Sequence, residues 1–330
     1  MRAVVLVGGE GTRLRPLTFH TPKQLLPIAG VPMIERVVAN LWRSGRVDDV
    51  VLSMGYRPDA FLDAYPDGTC AGLPVAYAVE PEPLDTAGAV RFAARAAGVD
   101  RRFLVVNGDV LTALDVGRLV DFHEGAGAEA TISLTPVDDP SAFGVVPTDE
   151  AGRVTAFIEK PPPGEAPTNL INAGTYVLEP SVVDRIAEGR RVSIERETFP
   201  ALVEQGTLYA LASDAYWIDT GTPATYLRAN LDALAAAPVT HGRVDEDAVV
   251  ERSVLGEGVC IGRGAQVVES VLLDRAEVGP GALVERSILG RGASVGTGAR
   301  VTDLTVVGDG ATVPPGADLV GARVPDAPAP

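Results

Sequence analysis

Short apolar runs alternate with amphipathic stretches through the first 237 residues. "AVVLV" (3–7), "VVLSM" (50–54), "PVAYAV" (74–79) and "FLVVN" (103–107) read as buried strands. Between them "MIERVVANLWRSG" and "TAGAVRFAARAAG" carry apolar residues at helical spacing and end at glycine. Strand–helix alternation predicts an α/β domain: a mostly parallel, Rossmann-like sheet covered on both faces, with ligands at the carboxyl ends of its strands. "ATISLTPV" (130–137), "VTAFIEKP" (154–161) and "INAGTYVL" (171–178) predict further strands of the same or an adjoining sheet.

The texture changes after "LDALAAAPVTHGRVDED". Four units align with one another, and their segments "IGRGA", "VGPGA", "VGTGA" and "VPPGA" begin at 261, 278, 295 and 313, a period of 17 or 18. An aliphatic recurs about every six residues within a unit, as at Leu255, Ile261 and Val267. Three six-residue faces per turn, with small residues at the corners, predict a left-handed parallel β-helix of hexapeptide repeats. The expected organisation is a first domain over 1–237, a linker over 238–249, the β-helix over 250–324 and a disordered tail over 325–330.

Composition narrows the class. Hydrophobic residues make up 46% and charged residues 22%, the profile of a soluble globular chain. No apolar run is long enough for a signal segment or a membrane span, and two cysteines, Cys70 and Cys260, fit a reducing cytoplasm. A formal charge of -16 argues against nucleic acid or an anionic membrane as partner. Against that background "VGGEGTRLRPLTFHTPKQ" (7–24) is locally cationic and rich in glycine. Glycines let a backbone turn its N–H groups onto a polyphosphate, yet the Gly-Lys-Ser/Thr ending of a P-loop is missing. Of the 28 basic residues only Lys23 and Lys160 are lysines. A compact ammonium kept where every other cation is a planar guanidinium points to two tight anion sites.

The string GGEGTRLRPLTFHTPKQLLPI resembles the signature GGxGTRLxPLTxxxPKxLLPI of the sugar-1-phosphate nucleotidylyltransferases. The resemblance continues in order through "NGDV" (107–110), "FGVV" (143–146), "EKP" (159–161), "INAG" (171–174) and "WIDTGTP" (217–223). Within that family "EPEPLDTAG" (80–88) and "SIERETFP" (193–200) look most like the mannose-1-phosphate guanylyltransferases. The resemblance implies transfer of a nucleotidyl group from an NTP, GTP favoured, to a sugar 1-phosphate, mannose 1-phosphate favoured, with release of pyrophosphate. It implies a nucleotide site of Val7, Gly8, Gly9, Gly11, Thr12, Arg13, Lys23, Glu80, Asp85, Thr86 and Gly108. Gly144, Glu159, Lys160 and Asn172 would hold the sugar phosphate, and Asp109 and Asp219 a Mg2+ ion. Arg13, Lys23 and Asp109 would carry the catalysis.

Glu80 aligns with the position that reads the base. A carboxylate only accepts, which suits the N–H donors of guanine, although Glu82 nearby could take the same role. Asp85 stands where the family usually has glycine, which leaves a glucose-1-phosphate thymidylyl- or uridylyltransferase as the alternative. Acyl transfer by the β-helix would need a histidine there, and His20, His123 and His241 all lie outside 250–324. A regulatory homologue without activity would be expected to lose phosphate or metal residues that this chain keeps. Exposed β-helix edges predict a homo-oligomer.

Overall fold

A computed structural model describes residues 1–236 and 242–325. Contacts divide the chain into two compact units, Met1–Gly9 with Ile34–Trp217, and Glu10–Met33 with Ile218–Pro330.

The first unit is built on a ten-stranded mixed sheet. Its strands are β1 (Arg2–Leu6), β2 (Asp49–Met54), β3 (Thr69–Cys70), β4 (Leu73–Val79), β5 (Phe103–Asn107), β6 (Ala130–Pro136), β7 (Gly144–Val145), β8 (Ile158–Glu159), β9 (Leu170–Leu178) and β10 (Leu208–Ala212). They lie in the order β8-β7-β9-β5-β1-β2-β4-β3, with β6 and β10 leaving this path from β9. The β5-β1-β2-β4 run is parallel, as strand–helix alternation requires, and its central residues Val4, Val51 and Val105 are buried. β9 turns the sheet antiparallel against β5 and β6, so the later strands extend the same sheet. Helices α1 (Met33–Arg43), α2 (Pro58–Ala64), α3 (Asp85–Ala96) and α4 (Val116–Ala126) follow four of these strands or loops. Ile34, Val37, Val38 and Leu41 share one buried face of α1, the i, i+3, i+4, i+7 stripe of an amphipathic helix.

The expected strand over 154–161 is shorter than its pattern. Only Ile158–Glu159 pairs in the sheet, beyond an isolated bridge between Thr148 and Val154. Lys160 takes a left-handed φ of 51° and three prolines follow it, so the chain leaves the ladder there.

His123 on α4 is fully buried, with Nδ1 2.8 Å from Thr131 Oγ1 and Nε2 3.3 Å from Glu179 Oε1. Burial dominates and holds its pKa below the ordinary histidine range, so the folded chain keeps the ring neutral while the unfolded chain would protonate it. The unfolded state therefore binds the extra proton as pH drops below about 6.5, and stability declines in that direction. Urea titrations between pH 7.5 and 5 are expected to show that slope, flattened in His123→Gln; equal slopes in both proteins would assign it elsewhere.

In the second unit fifteen short strands form three five-stranded parallel sheets, the architecture of the expected left-handed β-helix. Arg243–Val244, Cys260–Ile261, Glu277–Val278, Ser294–Val295 and Thr312–Val313 make the first face. Val249–Glu251 begins the second and Val254–Leu255 the third. The fourth coil gains an eighteenth residue at a corner, where Asp303 and Leu304 both take positive φ. Leu255, Ile261, Val267 and their successors fill the interior. Ser253, Ser270 and Ser287 form a buried hydroxyl ladder, each accepting from the next coil's N–H or donating to a corner carbonyl. Within the expected linker, 238–241 lie outside the described residues, as do 326–330 of the expected tail.

The three faces differ outside. Outward positions of the first are Cys260, Glu277, Ser294 and Thr312, and those of the second Gln266, Leu283, Arg300 and Asp318; none is buried. The matching residues of the third are Val254, Val271, Ile288 and Val306, all at most 3% exposed. That face is covered within the unit. Helix α5 (Pro223–Ala236) packs on it. The segment Glu10–Met33 reaches the same face where Pro16 meets Gly308, and it is tied to α5 by Tyr226 Oη donating to Pro27 O at 2.6 Å and Asn230 Oδ1 accepting from Ala29 N at 2.8 Å. Burying each of these aliphatics contributes about 1.5–3 kcal/mol.

Candidate active site

In the first unit the parallel strands deliver their carboxyl ends to one rim. Val7 N donates to Ser53 O at 2.9 Å and Gly108 N to Leu6 O at 3.0 Å, so the turns after β1, β2 and β5 lie side by side. Two glycines let these turns approach closely. A Cβ on Gly8 would stand 3.2 Å from Gly55 N, and one on Gly108 would stand 2.8 Å from Leu6 O. Asp109 follows directly, between buried Gly108 and Val110.

Glu80 emerges after β4 and is held by both oxygens. Ser53 Oγ lies 3.3 Å from Oε1, and Leu84 N donates to Oε2 at 3.1 Å. Burial, the largest influence, pushes its pKa above the usual carboxylate range against those two hydrogen bonds. Gly8 brings the glycine turn beside it, since a Cβ there would be 3.6 Å from Glu80 Oε1. Glu82 is exposed, so of the two acidic candidates Glu80 is the one the fold fixes. Asp85 opens α3 with a φ of 61°, and its Oδ1 accepts from Thr86 N at 2.8 Å. The backbone there is left-handed, a conformation that glycine takes freely and that aspartate is one of the few other residues to tolerate. Thr86 Oγ1 donates to Glu195 Oε2 at 2.8 Å and accepts from Ile194 N at 2.8 Å, tying the turn to the 193–200 segment.

The sugar-phosphate candidates form a second group. Gly144 pairs with Glu159, and a Cβ on it would lie 2.6 Å from Phe157 Cζ and 3.1 Å from Glu159 Oε2. Lys160 N donates to Phe143 O at 3.0 Å, which fixes the backbone while the side chain stays 60% exposed with Nζ 3.7 Å from Glu159 Oε1. Asn172 sits at the irregularity in β9. Its Oδ1 accepts from Gly174 N at 3.0 Å and its Nδ2 donates to Tyr176 Oη at 2.9 Å. That phenol is buried, and desolvation first, then the charges of Glu195, Glu159 and Asp109, pushes its ionisation far upward.

In the second unit Gly11 takes a φ of 65°, with Thr12–Leu14 a 3₁₀ turn behind it. A Cβ on Gly11 would be 3.1 Å from Lys23 Cβ and from Thr18 Cγ2, so the glycine turn and the lysine are adjacent. Thr18 Oγ1 closes the loop onto Gly11 O at 2.8 Å. Asp219 ends the three-residue strand Trp217–Asp219, which is not among the ten strands of the main sheet, and its Oδ1 accepts from Gly221 N at 2.7 Å. A Cβ on Gly221 would lie 2.5 Å from Arg13 Nη2 and 2.8 Å from Asp219 Oδ1, so the guanidinium and the carboxylate approach over a bare backbone. Among the described residues no group of three or more His, Cys, Asp and Glu side chains is placed to hold a metal.

Four residues with a structural claim on these groups went unassigned in the sequence: Gln24, Tyr176, Glu195 and Gly221. All lie within or beside motifs that carry the resemblance. Gln24 is 1% exposed and its Oε1 accepts no hydrogen bond. Only the fold shows that Glu195 holds Thr86 or that Gly221 makes room for Arg13.

The Nucleotidyl transferase family matches residues 2–236, and the GMPPB C-terminal domain matches 239–327. The chain belongs to the nucleotidyl transferase family. It is 42% identical over 292 residues to a mannose-1-phosphate guanylyltransferase of Mycobacterium tuberculosis, covering 84% of this chain and 80% of that one. A mannose-1-phosphate guanylyltransferase 1 of Arabidopsis thaliana is 40% identical over 296 residues, covering 84% and 81%. Among solved structures, HddC of Yersinia pseudotuberculosis in complex with GMP-PN superposes with a TM-score of 0.60 at 30% identity, over 70% of this chain and 99% of that one. No helix among the described residues is long and apolar enough to cross a membrane.

Proposed function

We propose that this chain is a mannose-1-phosphate guanylyltransferase, converting GTP and mannose 1-phosphate to GDP-mannose and pyrophosphate in the cytoplasm. The observation that carries the choice of base is Glu80, a carboxylate fixed by Ser53 and Leu84 beside the Gly8 turn. The guanine edge offers adjacent N–H donors to such an acceptor, whereas uracil and thymine offer one imide N–H flanked by carbonyls. The names of the relatives support the same reading.

In this reading Gly8, Gly9 and Gly11 present backbone N–H groups to the triphosphate, with Val7, Thr12 and Gly108 lining the turn. Arg13 and Lys23 offset charge on the transferring phosphoryl and on the departing pyrophosphate. Lys160 binds the phosphate of the sugar, while Gly144, Glu159 and Asn172 orient its hydroxyls. The sugar phosphate oxygen attacks the α-phosphorus in line as the bond to pyrophosphate breaks, a reaction governed by positioning and charge neutralisation. Asp109 and Asp219 supply hard oxygen donors, which fit Mg2+; this ion commonly takes one or two carboxylates and completes its shell with phosphate oxygens and water. Bound there it would supply charge neutralisation at the phosphates.

A matrix of GTP, ATP, UTP and dTTP against mannose and glucose 1-phosphates, read by pyrophosphate release with magnesium, tests the assignment. GTP with mannose 1-phosphate is expected to turn over fastest. Preference for dTTP or UTP would overturn the reading of Glu80 in favour of the thymidylyl or uridylyl alternative, and silence with every pair would favour a regulatory homologue. Glu80→Gln is expected to lower kcat/KM for GTP about 10- to 100-fold, since one charged acceptor–donor pair contributes about 1.5–3 kcal/mol. We further propose a homo-oligomer; a monomer by light scattering would exclude it.

A further inference from the structure

We propose that the β-helix is the mount of the cationic segment, and that Gly308 is a positioning residue for Arg13 in the reaction; the second half of this rests on the function proposed above. Glu10–Met33 has little regular structure of its own, with two 3₁₀ turns and a two-residue hairpin. It clusters with the β-helix unit rather than with the sheet unit, whose chain flanks it on both sides in sequence. Leu14, Leu17, Leu26 and Ile28 are at most 1% exposed, so the segment buries its apolar side while Arg13 stays exposed.

One contact joins the segment to a coil directly. A Cβ on Gly308 would lie 2.9 Å from Pro16 Cβ and 3.0 Å from Pro16 Cγ, closer than packed atoms approach. Gly308 occupies the corner after Val306–Val307, and the preceding coils have Gly256, Leu273 and Gly290 at that corner. Leu273 shows that a coil itself accepts a side chain here, with its N–H still bonded to Leu289 O at 2.9 Å. At Gly256 and Gly290 the nearest obstacles are atoms of the next coil's Asp274 and Asp309; at Gly308 they are the Pro16 ring. Gly308 carries no positive φ either. A side chain at Gly308 would therefore meet the segment first, and then the carbonyl of Val324 in the next coil, 3.3 Å away.

Pro16 is three residues from Arg13, and the turns Leu14 N to Gly11 O (2.9 Å) and Leu17 N to Leu14 O (3.1 Å) link the two. Pushing the rigid proline ring outward must carry that backbone and shift Arg13 from its place, where Nη2 lies over Gly221. A misplacement of about 1 Å at a charge-stabilising group can cost about 10²-fold in rate.

The experiment uses the full chain with Gly308→Ala, Gly308→Val, Pro16→Gly and the double variant Gly308→Ala/Pro16→Gly. Amide hydrogen exchange at Leu14 and Leu17 reads the mount without reference to activity, and is expected to be about 10-fold faster in Gly308→Val while the amides of Val267, Val284 and Val301 stay as protected as in wild type. Unchanged exchange at Leu14 and Leu17 overturns the mount. For the reaction, Gly308→Val is expected to lower kcat about 10-fold or more with KM for the sugar phosphate within about twofold. Gly308→Ala should cost less in the Pro16→Gly background than in wild type. Faster exchange with wild-type kcat, or losses that multiply independently, overturns the positioning role. A wild-type chain silent with every substrate pair would sink the transferase assignment instead, and hydrogen exchange would still decide the mount.

Discussion

Asp109→Asn is expected to lower kcat about 10²-fold or more while the chain stays folded. The substitution keeps the shape of the side chain and removes its charge. Asp109 sits between buried Gly108 and Val110 at the end of β5, where the main chain is fixed by Gly108 N to Leu6 O, so the backbone has no reason to move. What changes is the donor. An amide oxygen is a weaker partner for a hard divalent cation than a carboxylate, and neutralising phosphate charge is the largest task this reaction sets the protein. Losing one charge-stabilising group at such a centre commonly costs about 10²–10³ in rate. The apparent magnesium requirement should rise with the loss of kcat, and the thermal transition should shift by at most a few degrees. Near-normal turnover, or an unchanged magnesium titration, would remove Asp109 from the proposed metal site.

The same residue shows how much of the site was readable beforehand. The rim at the strand ends follows from alternation alone: β1 and β5 read as buried strands, and the loops after them are where a doubly covered sheet places its ligands. The β-helix was legible from its period, because inward aliphatics must recur with the coil. Its buried third face was legible in principle too. Val254, Val271, Ile288 and Val306 contrast with Glu277 or Arg300 at the matching outward positions of the other faces, and an aliphatic column on the outside of a coil calls for a cover. The identity of that cover lay beyond the sequence, since the Glu10–Met33 segment reaches the coils through tertiary packing about 290 residues away, at Pro16 and Gly308. The apparent strand over 154–161 misled for a local reason: its alternation is strand-like, but a left-handed Lys160 and the prolines after it end the pairing at two residues. Asp85 was conspicuous as a departure, and the left-handed backbone it occupies, with a φ of 61°, became visible only in the fold.

Gly221→Ala is expected to lower kcat/KM about 10²-fold with little loss of stability. Nothing about Gly221 demands a left-handed backbone, so the added methyl acts through space alone. That methyl would stand 2.5 Å from Arg13 Nη2, 3.2 Å from Arg13 Cζ and 2.8 Å from Asp219 Oδ1, well inside van der Waals contact with all three. Two charged groups must therefore retreat from a methyl that can make no hydrogen bond to either. The Oδ1 of Asp219 is tethered to Gly221 N at 2.7 Å, so the guanidinium is the partner with freedom to give way. Displacing Arg13 by about 1 Å separates its charge from the phosphoryl it is proposed to stabilise, and both positioning and electrostatic terms fall together. Arg13→Ala in the Gly221→Ala background gives the decisive reading. If the methyl acts by moving Arg13, deleting the guanidinium should add little to the loss already present, a strongly non-additive pair. Losses that multiply would assign the effect of Gly221→Ala to Asp219 or to the turn itself.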